Sequence, residues 1–148
     1  MKKPTLTLMC GLPRSGKTTW IQNNKKKSDI IVSPDDIRLD FFGHTFHKNA
    51  EPMIWTLTEM FVKMLLKQKV NIILDACHLT INRNKWVNLG KENGYLIILV
   101  ILNTPLKICL QRNKKDKKIP IETLKNMSNF FDLKNDKENF DKIITIQC

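Results

Sequence analysis

The segment Gly11-Leu12-Pro13-Arg14-Ser15-Gly16-Lys17-Thr18 constrains this chain more than any other feature. It matches G-x-x-x-x-G-K-[ST] and stands between an apolar run, Thr5 to Met9, and a helical pattern over Lys17 to Asn24, the strand–loop–helix setting that the motif requires. Such a loop curls backbone N–H groups around a phosphate, and the helix that follows aims the positive end of its dipole at the same point. The pattern predicts Gly11, Pro13, Arg14, Ser15, Gly16, Lys17, Thr18 and Thr19 as a nucleotide-binding set, with ATP as the expected nucleotide. Lys17 is expected to reach the β- and γ-phosphates. The Thr18 hydroxyl is expected to ligate Mg²⁺, which favours octahedral oxygen coordination shared with the phosphates.

The rest of the chain alternates short apolar runs with helical patterns, the signature of a βα fold. Ile30 to Val32 reads as a second strand, which Pro34 ends before the acidic pair Asp35-Asp36, and those carboxylates suit a helix N-terminus. From Glu51 to Lys69 the residues Ile54, Leu57, Phe61, Met64 and Leu65 recur at helical spacing, with Pro52 in the first turn. Val70 to Leu74 is a third strand ending in Asp75, Ile81 to Glu92 a helix closed by Gly94, and Tyr95 to Leu102 a fourth strand without polar interruption. Thr104 to Asn113 and Pro120 to Phe131 are further helices, and Ile143 to Ile146 a last strand. The expected architecture is a P-loop NTPase or kinase fold: three α/β/α layers around a five-stranded parallel sheet, its continuous apolar strands buried on both faces.

At 148 residues, with 42% apolar and 26% charged side chains, the chain fits one domain over 1–148, and wholesale disorder is excluded. The net charge of +11 favours polyanionic partners, although arginine occurs only at Arg14, Arg38, Arg83 and Arg112, and the excess of lysine has a compositional explanation as well. Cys10, Cys77, Cys109 and Cys148 show neither zinc spacing nor a C-x-x-C pair, and the apolar run after Lys2-Lys3 is too short for a secretory signal. Reduced thiols, a cytoplasmic location and no membrane span are expected.

Asp75, at the end of its apolar run, takes the Walker B position and is expected to share in holding the metal. Asp35 lies just past the second strand, on the sheet edge that carries the phosphate loop, where a carboxylate can accept a proton from an attacking hydroxyl; helix capping is its alternative role. Arg38 follows at the spacing that brings both side chains to one face, placed to clamp an acceptor phosphate. Arg112, Lys114, Lys115, Lys117 and Lys118 surround Asp116 and read either as a basic lid over about 112–119 or as a solvated loop.

These residues resemble the phage-type polynucleotide 5′-hydroxyl kinase family nearly end to end. The likeness is carried by Gly11 to Trp20, Ser33-Pro34-Asp35-Asp36-Ile37-Arg38, Ile72 to Asp75, the helix leading to Arg112-Asn113, and Pro120-Ile121 followed by Leu124 and Met127. The resemblance implies an enzyme that moves the γ-phosphate of ATP to the 5′-hydroxyl of DNA or RNA. It implies Lys17 and Thr18 as nucleotide and metal ligands, Asp35 as general base and Arg38 as the acceptor contact; beside it, Arg112 is expected to join Lys17 as a catalytic and nucleotide contact that stabilises charge on the phosphoryl oxygens. The chain departs from the family pattern at Ser33-Pro34, where Asn-Arg is common, and at Ala76-Cys77, where Thr-Asn is usual. It also carries lysines where the family has a catalytic arginine, so Lys115 is the candidate substitute, without the bidentate fork of arginine. No counterpart of the fused 3′-phosphatase domain is present, and no phosphatase activity is expected.

His44 and His47 have no cysteine partners nearby and read as structural or surface residues. Trp20 and Trp55 occupy helical positions that face a core, so no base-stacking platform is expected. Two rival classes remain: a small-molecule kinase of the same fold, and a nucleic-acid-associated P-loop NTPase that releases free phosphate.

Overall fold

The computed structural model describes residues 2–43, 48–78, 83–115, 119–129 and 139–147. Five strands, β1 (Thr5–Cys10), β2 (Ile30–Val32), β3 (Ile72–Leu74), β4 (Leu96–Asn103) and β5 (Lys142–Gln147), form one sheet in the order β2-β3-β1-β4-β5. Every neighbouring pair is parallel, so their carboxyl ends share one edge. Among the described residues six helices connect them: α1 (Lys17–Asn24), α2 (Pro34–Phe42), α3 (Glu51–Gln68), α4 (Asn84–Glu92), α5 (Leu106–Asn113) and α6 (Ile121–Asn129), with a 3₁₀ turn at Lys48–Ala50. The predicted fold class is the one observed.

Alternation along the central strands sorts the core into two sides. Leu6, Leu8 and Cys10 of β1 and Ile97, Leu99 and Ile101 of β4 pack with Val62 and Leu66 of α3 and Trp86 and Val87 of α4. Met9, Val100 and Leu102 point the other way, onto Ile21 and Trp20 of α1. A strand clothed on both faces has no polar side to show, hence the uninterrupted apolar run of β4. Because β3 and β4 flank β1 on opposite sides, the chain changes direction at the carboxyl end of β1, which opens a crevice there.

Three expectations need correction. The buried positions of α3 are Ile54, Thr58, Val62 and Leu66, a strict every-fourth-residue row, while Phe61 and Met64 of the anticipated stripe are exposed. They line, with Leu65, Ile30, Ile31 and Ile37, a groove of about 310 Å³ at the β2 edge of the sheet. Trp55 is likewise exposed rather than set in the core. The last strand, β5, is an edge strand with exposed and half-buried positions, in contrast to the expected burial on both faces. Of the predicted helix over Ile81 to Glu92, Ile81 and Asn82 lie outside the described residues, and the described part is α4, Asn84–Glu92.

Candidate active site

The phosphate loop leaves β1 at Gly11, whose N–H donates to the Cys77 carbonyl at 3.0 Å, tying the loop to the segment that follows β3. A Cβ at Gly11 would fall 2.6 Å from Ser15 Oγ and 3.1 Å from the Leu102 carbonyl oxygen, so only glycine fits between them. Arg14 and Gly16 both take left-handed backbone conformations, at φ 70 and φ 103, which bend the loop back over the start of α1. Gly16 caps α1 without any side-chain hydrogen bond, and no acid stands in the first turn. The first intrahelical donor is Trp20 N–H to the Gly16 carbonyl at 2.9 Å, so the N–H groups before it point outward with the positive end of the dipole. Ser15 Oγ is buried without a hydrogen-bond partner among the described residues, and the Ser15 carbonyl accepts from Thr104 Oγ1 at 2.7 Å. Open amides, a positive helix end and an unsatisfied hydroxyl in one concave turn fit an anionic phosphate chain.

Lys17 folds back over this loop and donates to the carbonyls of Gly11 at 3.1 Å and Leu12 at 2.8 Å. Its charge and a hydrogen bond to the Cys77 thiol oppose the effect of burial, which dominates and pushes that thiol upward from its ordinary pKa. Thr18 Oγ1 donates to Asp75 Oδ2 at 3.2 Å. Two oxygens at adjacent corners of a Mg²⁺ octahedron stand about 3 Å apart when each bond is about 2.1 Å. The Thr18–Asp75 pair therefore fits a small hard cation whose remaining ligands come from phosphates and water. Burial raises the Asp75 pKa, against the lowering effects of Lys17 and the Thr18 hydrogen bond, while Asp35 and Asp36 add to the rise at long range. A half-desolvated carboxylate with other acids nearby gains when a cation arrives.

On the other side of the crevice, Ser33 caps α2 by accepting from Asp36 N–H at 3.3 Å, and Pro34 occupies the first turn. The capping role is thus filled by Ser33. Asp35 projects into solvent with its side chain 89% exposed and meets Arg38 Nη1 at 2.6 Å. Arg38 is not a loose clamp. Its Nε and Nη2 donate to Glu51 Oε2 and Oε1 at 2.9 and 2.5 Å, and these bonds raise its pKa further above the ordinary value. Glu51 escaped the sequence reading because an acid in the first turn of a helix has an ordinary explanation in the helix dipole.

Arg112, in the last turn of α5, donates from Nη1 to the Arg14 carbonyl at 2.9 Å. Lys115 is exposed in the turn after α5, and Asp116, Lys117 and Lys118 of the anticipated lid lie outside the described residues, as do His44, His47 and Cys148. The structure therefore brings Lys17, Thr18, Asp75 and Arg112 onto the phosphate loop, places Asp35 within electrostatic reach of Asp75, joins Arg38 to the site through Asp35, and leaves Lys115 exposed in the turn after α5.

Beneath the loop lie two residues whose placement the sequence did not reveal. His78 has a left-handed backbone at φ 42 and its Nδ1 donates to the Met9 carbonyl at 2.8 Å. Burial lowers its pKa to about 4, outweighing hydrogen bonds to the Met9 and Ala76 carbonyls. Arg83, 1% exposed, donates from Nη1 to the His78 carbonyl at 2.9 Å and to Cys10 Sγ at 3.6 Å. Both follow β3 and brace the end of β1, where the phosphate loop begins.

A five-stranded parallel sheet flanked by helices, with a Walker-type loop after its central strand, defines the P-loop kinase fold. The chain belongs to the AAA_33 family, whose model, described as an AAA domain, matches residues 6–133. It is 30% identical over 144 residues to the L-seryl-tRNA(Sec) kinase of Methanococcus maripaludis, covering 92% of this chain and 56% of that protein. Among solved structures it resembles a chain of the Pnkp1/Rnl/Hen1 RNA repair complex, with a TM-score of 0.71 and 24% identity over 95% of this chain and 50% of the other. It also resembles Kti12 of Chaetomium thermophilum, solved in complex with ADP-AlF3, with a TM-score of 0.69 and 15% identity over 96% and 88% of the two chains. The chain spans about half the length of the seryl-tRNA kinase and of the repair-complex chain. Among the described residues no helix is long and apolar enough to cross a membrane.

Proposed function

We propose that this domain transfers the γ-phosphate of ATP to a nucleic-acid hydroxyl, with the 5′-hydroxyl of DNA or RNA as the acceptor. The observation that carries this reading is the pairing of the exposed Asp35 carboxylate with Arg38 Nη1 at 2.6 Å, on the helix that follows β2 at the sheet edge carrying the phosphate loop. In this mechanism the loop amides and Lys17 hold the phosphate chain and draw charge off the leaving oxygen. Asp35 takes the proton of the attacking hydroxyl, Arg38 orients the acceptor, and Arg112 stabilises charge on the transferring group, with Lys115 approaching from the lid. Thr18 and Asp75 would hold Mg²⁺, which when bound neutralises charge shared by the β- and γ-phosphoryl oxygens.

Two further facts support a nucleic-acid acceptor. One relative is named for a seryl-tRNA substrate and one structural neighbour was solved within an RNA repair complex, and the chain's net charge of +11 suits a polyanion. The domain is read as acting in the cytoplasm, as a single unit over 1–148 with its lid over 112–119.

The test is transfer from γ-labelled ATP with Mg²⁺ to a panel of 5′-hydroxyl DNA and RNA oligonucleotides and seryl-tRNA. Label on an oligonucleotide end supports the reading. Label only on seryl-tRNA moves the acceptor to the aminoacyl hydroxyl, and label found only as free phosphate replaces the kinase with an NTPase.

A further inference from the structure

Three side chains from two helices stand in line on the acceptor side of the cleft. Glu51 opens α3, and Asp35 and Arg38 lie one turn apart on α2. The Glu51 carboxylate grips one edge of the guanidinium, accepting from Nε at 2.9 Å and Nη2 at 2.5 Å, a bidentate geometry that fixes the plane of the fork. The nitrogen left over, Nη1, meets Asp35 Oδ1 at 2.6 Å. Exposure rises outward along the line: the Glu51 and Arg38 side chains are 21% and 20% exposed and that of Asp35 is 89% exposed. The anchored end is inside, and the free end is a carboxylate open to an incoming hydroxyl.

We propose that Glu51 is a positioning residue for phosphoryl transfer, clamping Nε and Nη2 of Arg38 so that Nη1 alone is presented to Asp35 and the acceptor. The inference rests on the phosphotransfer reading above. An arginine has several freely rotating bonds, and without the clamp its fork can swing to engage both oxygens of Asp35 at once. A carboxylate held bidentately by a guanidinium is a poor proton acceptor, because both oxygens already take hydrogen bonds. With Glu51 in place the contact to Asp35 uses Oδ1 only among the described residues, which leaves Oδ2 for the proton of the attacking hydroxyl. Glu51 thereby holds Arg38 ready before the acceptor binds and keeps Asp35 competent as a base.

The test uses the whole chain and the variants Glu51→Ala and Glu51→Gln, with Glu59→Gln as a control that removes from the same helix a half-buried carboxylate paired with Lys63 and Lys85 instead of Arg38. Three quantities are read: kcat and KM for phosphoryl transfer, ADP affinity, and the Arg38 Nε–H signal in a ¹H–¹⁵N spectrum, assigned by its loss in Arg38→Lys. Glu51→Ala is expected to lower kcat about a hundredfold and to abolish the slowly exchanging Nε–H signal, with ADP affinity held within about twofold. Glu51→Gln, isosteric and still able to accept one of the two bonds, is expected to lose about tenfold, and it keeps the proposal testable should the alanine variant fail to fold. Removing Glu51 in an Arg38→Ala background is expected to add nothing.

Wild-type kcat in Glu51→Ala, an equal loss in Glu59→Gln, or an Nε–H signal indifferent to Glu51 would each overturn the proposal. If the wild type labels no oligonucleotide, the substrate assignment fails by itself. The Nε–H signal, and turnover of whichever acceptor or water the enzyme then uses, still decide the role of Glu51.

Discussion

Arg112 Nη1 donates to the Arg14 carbonyl at 2.9 Å across a sequence separation of 98 residues. The carbonyl it holds belongs to a residue at φ 70, a conformation that costs a non-glycine residue about 1 kcal/mol or more. The guanidinium of α5 thus braces the most strained point of the phosphate loop and stands 3.7 Å from where a Cβ at Gly16 would lie.

Removing that brace should act on nucleotide binding more than on folding. Arg112→Ala is expected to weaken ADP affinity about tenfold while costing under about 1 kcal/mol of stability, as for one lost hydrogen bond at an exposed site. Calorimetric titration with ADP and a denaturant melt read the two effects separately. A large loss of stability with intact affinity would assign Arg112 to the fold instead.

Asp35→Asn should abolish transfer and leave ATP binding nearly intact, since Asp35 stands off the phosphate loop on α2 and the amide keeps its shape without accepting a proton. Single-turnover labelling and an equilibrium binding measurement on the same preparation check this. Loss of both together would remove Asp35 from the role of base.

The Thr18–Asp75 pair predicts a cation requirement that strengthens as pH falls. Burial raises the Asp75 pKa, so on acidification a proton competes for this carboxylate earlier than for an ordinary aspartate. The Mg²⁺ concentration for half-maximal nucleotide binding should rise between neutral pH and about pH 5, the range just above a usual carboxylate pKa. Asp75→Asn should lose that pH dependence and need more Mg²⁺ throughout. A midpoint in the wild type that does not move with pH would count against Asp75 as a ligand.

Gly11→Ala tests the close approach at the mouth of β1. Its new Cβ must displace Ser15 Oγ and presses on the Leu102 carbonyl, which is backbone and cannot rotate away. A loss of about 1–3 kcal/mol in stability is expected, the range for overpacking, together with weaker nucleotide binding, because Ser15 lies within the loop.

His78 makes stability pH-dependent by a route unrelated to catalysis. Its folded pKa of about 4 lies below the ordinary 6.5, so the unfolded chain binds the proton more readily. Stability from this group is complete above about pH 6.5 and falls as pH drops toward about 4, by about 3 kcal/mol in all. Urea unfolding across that range should show the slope, and His78→Asn, which tolerates the left-handed backbone, should flatten it.

How much of this was legible depends on how far apart the cooperating residues lie in the chain. The phosphate loop is one contiguous stretch, and its glycines, lysine and threonine announce both their geometry and their ligand. The central strands were legible because β4, clothed on both faces, runs apolar from Leu96 to Leu102 without interruption, and β1 ends in the apolar run Leu8-Met9-Cys10 just before the phosphate loop. The face of α3 was not, since Phe61 and Met64 keep helical spacing as well as Val62 and Leu66 do, and only the packing of α3 against β2 and β3 selects the buried row.

The sequence by itself therefore determined the α/β class, the nucleotide loop and the acids at the strand ends, because each follows from local periodicity or from neighbouring residues. Tertiary structure alone decided which distant partners those groups meet. Glu51 reaches Arg38 only because α2 and α3 pack side by side, Arg112 reaches Arg14 only because α5 follows β4 beside β1, and His78 reaches the Met9 carbonyl only because its segment runs past the end of β1. Such contacts depend on the positions of whole elements in space, and a hydrogen bond between residues far apart in the chain leaves no periodic mark on either segment.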